Sequence, residues 1–190
     1  MRLPLLAPAF LIVTSLTGLT GLTGLTGLAL PNPQAQSAMP ADGMAKPAKP
    51  TGPVGPLRIS YNGRAEEWTV ATLAKLPHKT IQVFNAHSKA NENYSGVPLA
   101  DLLARIGVPN DPHGKDMRLY LAAEGADGYV VTLSLAEVLP TFHPGDILVA
   151  DALESKPIAE TGPLQLIVSE DKRPARWVHS IVAIKVQPVE

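Results

Sequence analysis

From Leu57 onward the apolar residues fall in short runs, mostly alternating with polar ones, and turn residues separate the runs. "LRISYNG" alternates and ends in Asn62-Gly63, a pair favoured in hairpins, with "EEWTV" as its return strand. "TVATLAKLP" also fits a short helix stopped by Pro77. "KTIQVFNA" predicts a strand from its β-branched and aromatic content. The stretch Asn85 to Asn93 is mostly polar, with no apolar residue larger than alanine, and predicts a loop. The clearest helix follows: Leu99, Leu102, Leu103 and Ile106 recur at helical spacing, Pro98 suits the first helical position, and Gly107 suits the position just past the end. "MRLYLAAEG" and "GYVVTLS" predict two strands about the "ADG" turn. "SLAEVLP" carries a Ser134-x-x-Glu137 capping box opening a helix that Pro140 ends. "DILVADAL" and "GPLQLIVS" predict strands around the "ESKP" turn, and "SIVAIKVQ" predicts the last strand.

Strands outnumber helices, the helices are short, and no glycine-rich strand-to-helix loop is present. The predicted fold is therefore α+β, mostly antiparallel β with short helices, and not a nucleotide-binding parallel sheet. One core of about 130 residues, 57–190, suits a single domain.

The pattern changes before that domain. Met1-Arg2 and then "LPLLAPAFLIV" have the charge and apolar length of a signal peptide, and no charged residue occurs between Arg2 and Asp42. "LTGLTGLTGLTG", Leu16 to Gly27, is a three-residue repeat. A membrane-spanning helix needs about 20 mostly apolar residues. This stretch reaches that length only by including glycines and threonines, so an uncleaved N-terminal anchor is the alternative to cleavage at Ala35-x-Ser37. The expected organisation is a signal peptide over 1–37, a Pro/Ala/Gly-rich disordered linker over 38–56, and the domain over 57–190. The expected location is periplasmic or extracellular, or membrane-anchored if the leader stays.

Composition narrows the chemistry. The chain has 190 residues, 16 basic and 17 acidic, for a formal net charge of −1. No basic face points to nucleic acid as a partner. There is no cysteine, which excludes disulfides, thiolate metal ligands and thiol nucleophiles. His78, His87, His113, His143 and His179 show no paired-ligand spacing, so no metal site is expected. No Gly-x-Ser-x-Gly elbow exists for a serine hydrolase. "SEDKRPARWVHS" gathers Lys172, Arg173 and Arg176 beside Trp177 and His179. This loop is either a solvated connection or an anion site, in which guanidinium forks take phosphate or carboxylate and the indole forms a planar wall. Tyr129, just after Asp127-Gly128, is by default an aromatic at a strand start.

Taken in order, "YSGVPLADLLARIGV", "ADGYVVTLSLAEVLP" and "ILVADALESKPIAETGPLQLIVSEDKRPARWVHSIVAIKV" resemble the oxidoreductase molybdopterin-binding domain, the sulfite-oxidase-like fold, and in particular its short exported bacterial members. The likeness covers roughly Ile81 to Val186. It implies an α+β fold with a molybdenum–pterin cofactor in a cleft, a cysteine thiolate on the metal, a tyrosine near the metal's oxygen ligands, and basic residues holding the pterin phosphate. By that resemblance Tyr129 corresponds to the site tyrosine, Lys172, Arg173 and Arg176 to the phosphate-side cations, and Trp177 to the tryptophan of the closing motif. The cysteine belongs before "SGVPL", where this chain has "IQVFNAHSKANEN", so Asn85 or His87 stands in its neighbourhood.

Three functions follow. The first is an exported binding module for a small anion, a pterin-like ligand or a redox partner protein. The second is a molybdopterin-dependent oxidoreductase in which His87 or Asn85 takes the cysteine's position; imidazole ligates metals but does not donate charge as a thiolate does. The third is a structural role in a membrane-associated redox complex.

Overall fold

The structure, a computed structural model, describes residues 54–159 and 161–190. The signal-peptide expectation over 1–37, and the linker expectation as far as residue 53, lie outside the described residues. No helix among the described residues is long and apolar enough to cross a membrane.

β1 (Leu57–Tyr61) and β2 (Arg64–Trp68) form the first hairpin, with Asn62 and Gly63 both at positive φ as a tight turn requires. Both readings of the next residues are realised in part. The return strand stops at Trp68, and Thr69 then caps a single helical turn, α1 (Val70–Leu73), through a capping box with Thr72. β3 (Lys79–Asn85) follows as predicted, but the polar stretch after it is not a loop. Only residues 86–89 turn, and β4 (Ala90–Pro98) begins at once, pairing along the whole length of β3. Its polar side chains are used within the sheet: Asn93 Nδ2 donates to Glu154, and Glu92 gathers three donors. "SGVP" is thus the end of a strand rather than a helix entry, and Pro98 is the extended cap of α2 (Leu99–Arg105).

A 3₁₀ turn holds Met117 and Arg118, so β5 (Leu119–Gly125) starts two residues later than the pattern predicts. β6 (Val130–Ser134) closes its hairpin, and the Ser134–Glu137 capping box opens α3 (Leu135–Val138). β7 (Ile147–Leu153) is buried over its first four residues. It then turns through Glu154 and Ser155, both at positive φ, into the two-residue β8 (Lys156–Pro157). β9 (Gln165–Val168) and β10 (Ile181–Pro188) complete the chain.

Two five-stranded sheets result. One has the order β2-β1-β10-β5-β6; the other runs β3-β4-β7, with β8 and β9 both paired to β7. Every strand pair is antiparallel except β1 with β10. A single core joins Leu57, Ile59, Leu121 and Ile184 of the first sheet to Val97, Leu148 and Leu166 of the second, and α2 adds Leu99, Leu102 and Leu103. α2 therefore buries the stripe its spacing predicts. At Gly96, where the β4–β7 register shifts, a Cβ would clash with the Val149 carbonyl oxygen of β7, so the two strands pair there only because the residue is glycine.

Candidate functional site

The turn after β3 is built by Asn85. Its Oδ1 accepts from the His87 amide at 2.9 Å, and its backbone carbonyl accepts from the Lys89 amide at 2.8 Å. Lys89 closes the turn in the left-handed region at φ 57°. The amide end of Asn85 donates to Glu92 at 2.8 Å, where Ser88 Oγ at 2.6 Å and the Tyr94 hydroxyl at 2.9 Å also donate. Partial burial works to raise the Glu92 pKa, but the three hydrogen bonds outweigh it and hold the carboxyl below its ordinary range. The Tyr94 phenol is pushed well above its ordinary value, by burial first and by the Glu92 carboxylate second. His87 stays exposed, and its ring makes no hydrogen bond among the described residues.

The basic loop is ordered by its own acids. Arg176 grips Asp171 with two donors, Nε at 2.9 Å and Nη2 at 2.6 Å, and reaches Glu137 through Nη1 at 2.8 Å. These bonds to Asp171 and then Glu137 raise the Arg176 pKa further beyond its already high value. Glu137 meanwhile receives the Ser134 amide at 2.8 Å, so one carboxylate both caps α3 and clamps the loop. Burial works to raise the Glu137 pKa, yet Arg176 and Ser134 lower it overall. Arg176 is therefore a strut and not an open anion fork. Trp177 is 3% exposed, its indole donating to the Val168 carbonyl at 3.0 Å and its ring meeting Tyr94 edge-on with centroids 5.6 Å apart. The expected planar wall is a core side chain, because the loop folds inward at Trp177 and lays Val178 against β9. Lys172 and Arg173 remain exposed, with no ion pair among the described residues.

The remaining site residues gather around the β5–β6 turn. The Tyr129 amide donates to Asp127 at 3.0 Å, and its hydroxyl donates across to the Ala175 carbonyl at 2.6 Å, fastening that turn to the basic loop. A Cβ at Gly125 would lie 2.8 Å from Asp127 Oδ1 and 2.9 Å from the His179 carbonyl oxygen, so glycine permits the contact. His179 is exposed at its surface, yet the neighbouring chain partly desolvates its ring, which lowers its pKa first; Asp127 opposes this, and His87 lowers it further. The β5–β6 turn and the basic loop thus meet through Tyr129 and Ala175, and His179 there feels the charges of Asp127 and of His87 on the β3–β4 turn. An open cavity of about 810 Å³ lies beside Glu137, between Tyr120, Thr132 and Gln187. It is wide open and lined by acids without a cation, so it offers nothing to an anionic ligand.

No curated protein matches the chain significantly. Residues 57–190 match the family described as oxidoreductase molybdopterin binding domain. The chain belongs to that family. The crystal structure of the sulfane dehydrogenase SoxCD from Paracoccus pantotrophus is similar, with a TM-score of 0.55 at 22% identity, over 72% of this chain and 39% of that one. At that identity the likeness shows the fold: mostly antiparallel sheets with short helices, as in the sulfite-oxidase-like molybdopterin domain. This chain spans about two fifths of the SoxCD chain's length.

The residues present do not fit the family's metal centre. The sequence holds no thiolate, and the described residues hold no group of three His, Asp or Glu able to bind a metal ion. At the position where the resemblance puts the cysteine, the Asn85 amide is engaged at both ends. Of the three phosphate-side cations, Arg176 is committed to two carboxylates. The sequence shows Asp127 only as a turn residue and Glu137 only as a cap, and gives no site role to Glu92, Tyr94 or Asp171. The Ser134-x-x-Glu137 box was a visible signal for Glu137 as a cap, but its second role depends on a contact 39 residues away.

Proposed function

We propose that this domain is an exported binding module that keeps the family's fold and takes a small anionic, pterin-like ligand at the end where its three loops meet, without molybdenum. The observation that carries this reading is the engaged Asn85 turn, in a chain with no cysteine, where the family's metal ligand would stand. Lys172 and Arg173 are the open cations, and His179, Tyr129 and exposed His87 supply polar edges for a flat heterocycle. The leader "LPLLAPAFLIV" after Arg2 supports export.

The test uses full-length protein from the exported fraction of a molybdenum-replete host. Elemental analysis is expected to show no stoichiometric molybdenum. Phosphate or a pterin phosphate is expected to raise the melting temperature, and Lys172→Ala with Arg173→Ala to abolish that rise. Stoichiometric molybdenum would establish the oxidoreductase with non-cysteine ligation instead, and no stabilisation by either probe would overturn the binding site.

A further inference from the structure

Among the described residues β3 is an outer strand of its sheet, paired with β4 on one side and with no strand on the other. An open edge of this kind is a template for a further strand, and proteins blunt such edges with charges, prolines, bulges or covering loops. The other edges of this fold are blunted. β2 carries Arg64, Glu66 and Glu67, and β8 is only two residues long. β6 is flanked by the basic loop, which is bonded to Tyr129 just before it and to Glu137 just after it. β9 is bridged to Val178 on its far side. β3 has none of these devices. From Thr80 to Asn85 it holds no charge and no proline, its register with β4 is unbroken, and buried Ile81 and Val83 alternate with exposed Thr80, Gln82 and Phe84. Phe84 is 56% exposed, the most open of the large apolar side chains described.

We propose that β3 pairs with β3 of a second copy of this chain, antiparallel about a two-fold axis at Gln82, so that the two sheets join into one. The strand is complementary to itself. With its middle residue, Gln82, opposite the same residue of the partner, all seven positions of β3 are paired. Directly opposed residues of an antiparallel pair share a face. Ile81 therefore meets the partner's Val83 on the buried side. On the exposed side Phe84 meets the partner's Thr80, an aromatic against a β-branched residue, which covers the open ring. Lys79, the one charge in the strand, meets the partner's Asn85, so no like charges face each other. A foreign strand would have to match this spacing by chance, whereas a second copy carries it by construction. One strand pair of this length covers less than the roughly 1,600 Å² of a standard interface, so the dimer is weak and depends on concentration. This goes beyond the binding function proposed above and does not depend on it.

The chain has no cysteine, so a single introduced thiol is unique and reports the register directly. Opposed Cα atoms of an antiparallel pair lie about 4.5–5.5 Å apart, within the span of a disulfide. Gln82→Cys in the full-length protein is therefore expected to give a disulfide-linked dimer on mild oxidation. Thr80→Cys, whose own counterpart lies about 14 Å away along the partner strand, is expected not to. In sedimentation equilibrium the wild type is expected to show a reversible monomer–dimer equilibrium. Gln82→Lys, at an exposed position, sets two cations face to face at the axis and is expected to weaken the dimer about tenfold or more. A wild type that stays monomeric at every accessible concentration overturns the proposal. So does a dimer that Gln82→Lys leaves unchanged, or cross-linking of Thr80→Cys as fast as that of Gln82→Cys, since either places the contact elsewhere.

Discussion

Trp177 shows how far a single residue can be read without its neighbours. An aromatic between Arg176 and His179 fits a ligand wall and a core plug equally well, because the loop's charge pattern says nothing about which way the backbone turns. The structure places it against Tyr94 with its indole hydrogen bonded, so its removal acts on stability. Trp177→Ala is expected to cost about 3–5 kcal/mol in urea unfolding, the range for emptying a large aromatic site. Asn85 was legible as a residue at a special position, but not as the builder of the turn. Its partner Glu92 lies in what the pattern presents as loop, and diagonal pairing is set by register rather than by sequence distance.

At the scale of elements, the strands with clear alternation and the helix with clear periodicity were visible: β1, β3, β7 and α2 lie where the pattern puts them, and β5 begins two residues late. β4 was hidden because Ala90, Asn91, Glu92 and Asn93 lack the apolar side chains that mark a strand, and their polar groups find partners only after the sheet forms. The basic loop was visible as a charge cluster, while its clamp was not, since Glu137 belongs to another element. Arg176→Gln removes three charge-assisted bonds that are all partly solvent-exposed, so a loss of about 1–2 kcal/mol is expected after allowing for screening. Hydrogen exchange is expected to speed up over 169–180 and to stay unchanged in β7; equal acceleration in both would refute the clamp. Gly96→Ala is expected to cost about 1–3 kcal/mol or more in the same measurement, because β4 and β7 must separate to admit the methyl group.

For the molecule as a whole, the titrating groups set how stability varies with pH. Glu92 and Glu137 titrate below the 4.5 of a free glutamate, so the unfolded chain binds the extra protons. Their contribution is present above that value and is lost as pH falls through the native one. The histidines oppose each other. His179 is held below 6.5, so acidification past that point costs stability. Burial works to lower the His78 pKa, but hydrogen bonds to Leu76 and Asp151 raise it overall, so its contribution is present below 6.5 and is lost as pH rises through its native value. His179→Gln is expected to flatten the decline in melting temperature between neutrality and pH 5, and His78→Gln to steepen it; shifts in the opposite directions would reject these assignments.

The parallel pairing of β1 with β10 also orders events in time. β1, which carries the first core residues of the domain, finds its central neighbour only in β10, more than a hundred residues further along the chain. Most of the chain must therefore be present before that sheet's middle can close, a long loop to pin down and a slow step in assembly. Until β10 inserts between β1 and β5, the first hairpin has no strand to join it to the rest of its sheet.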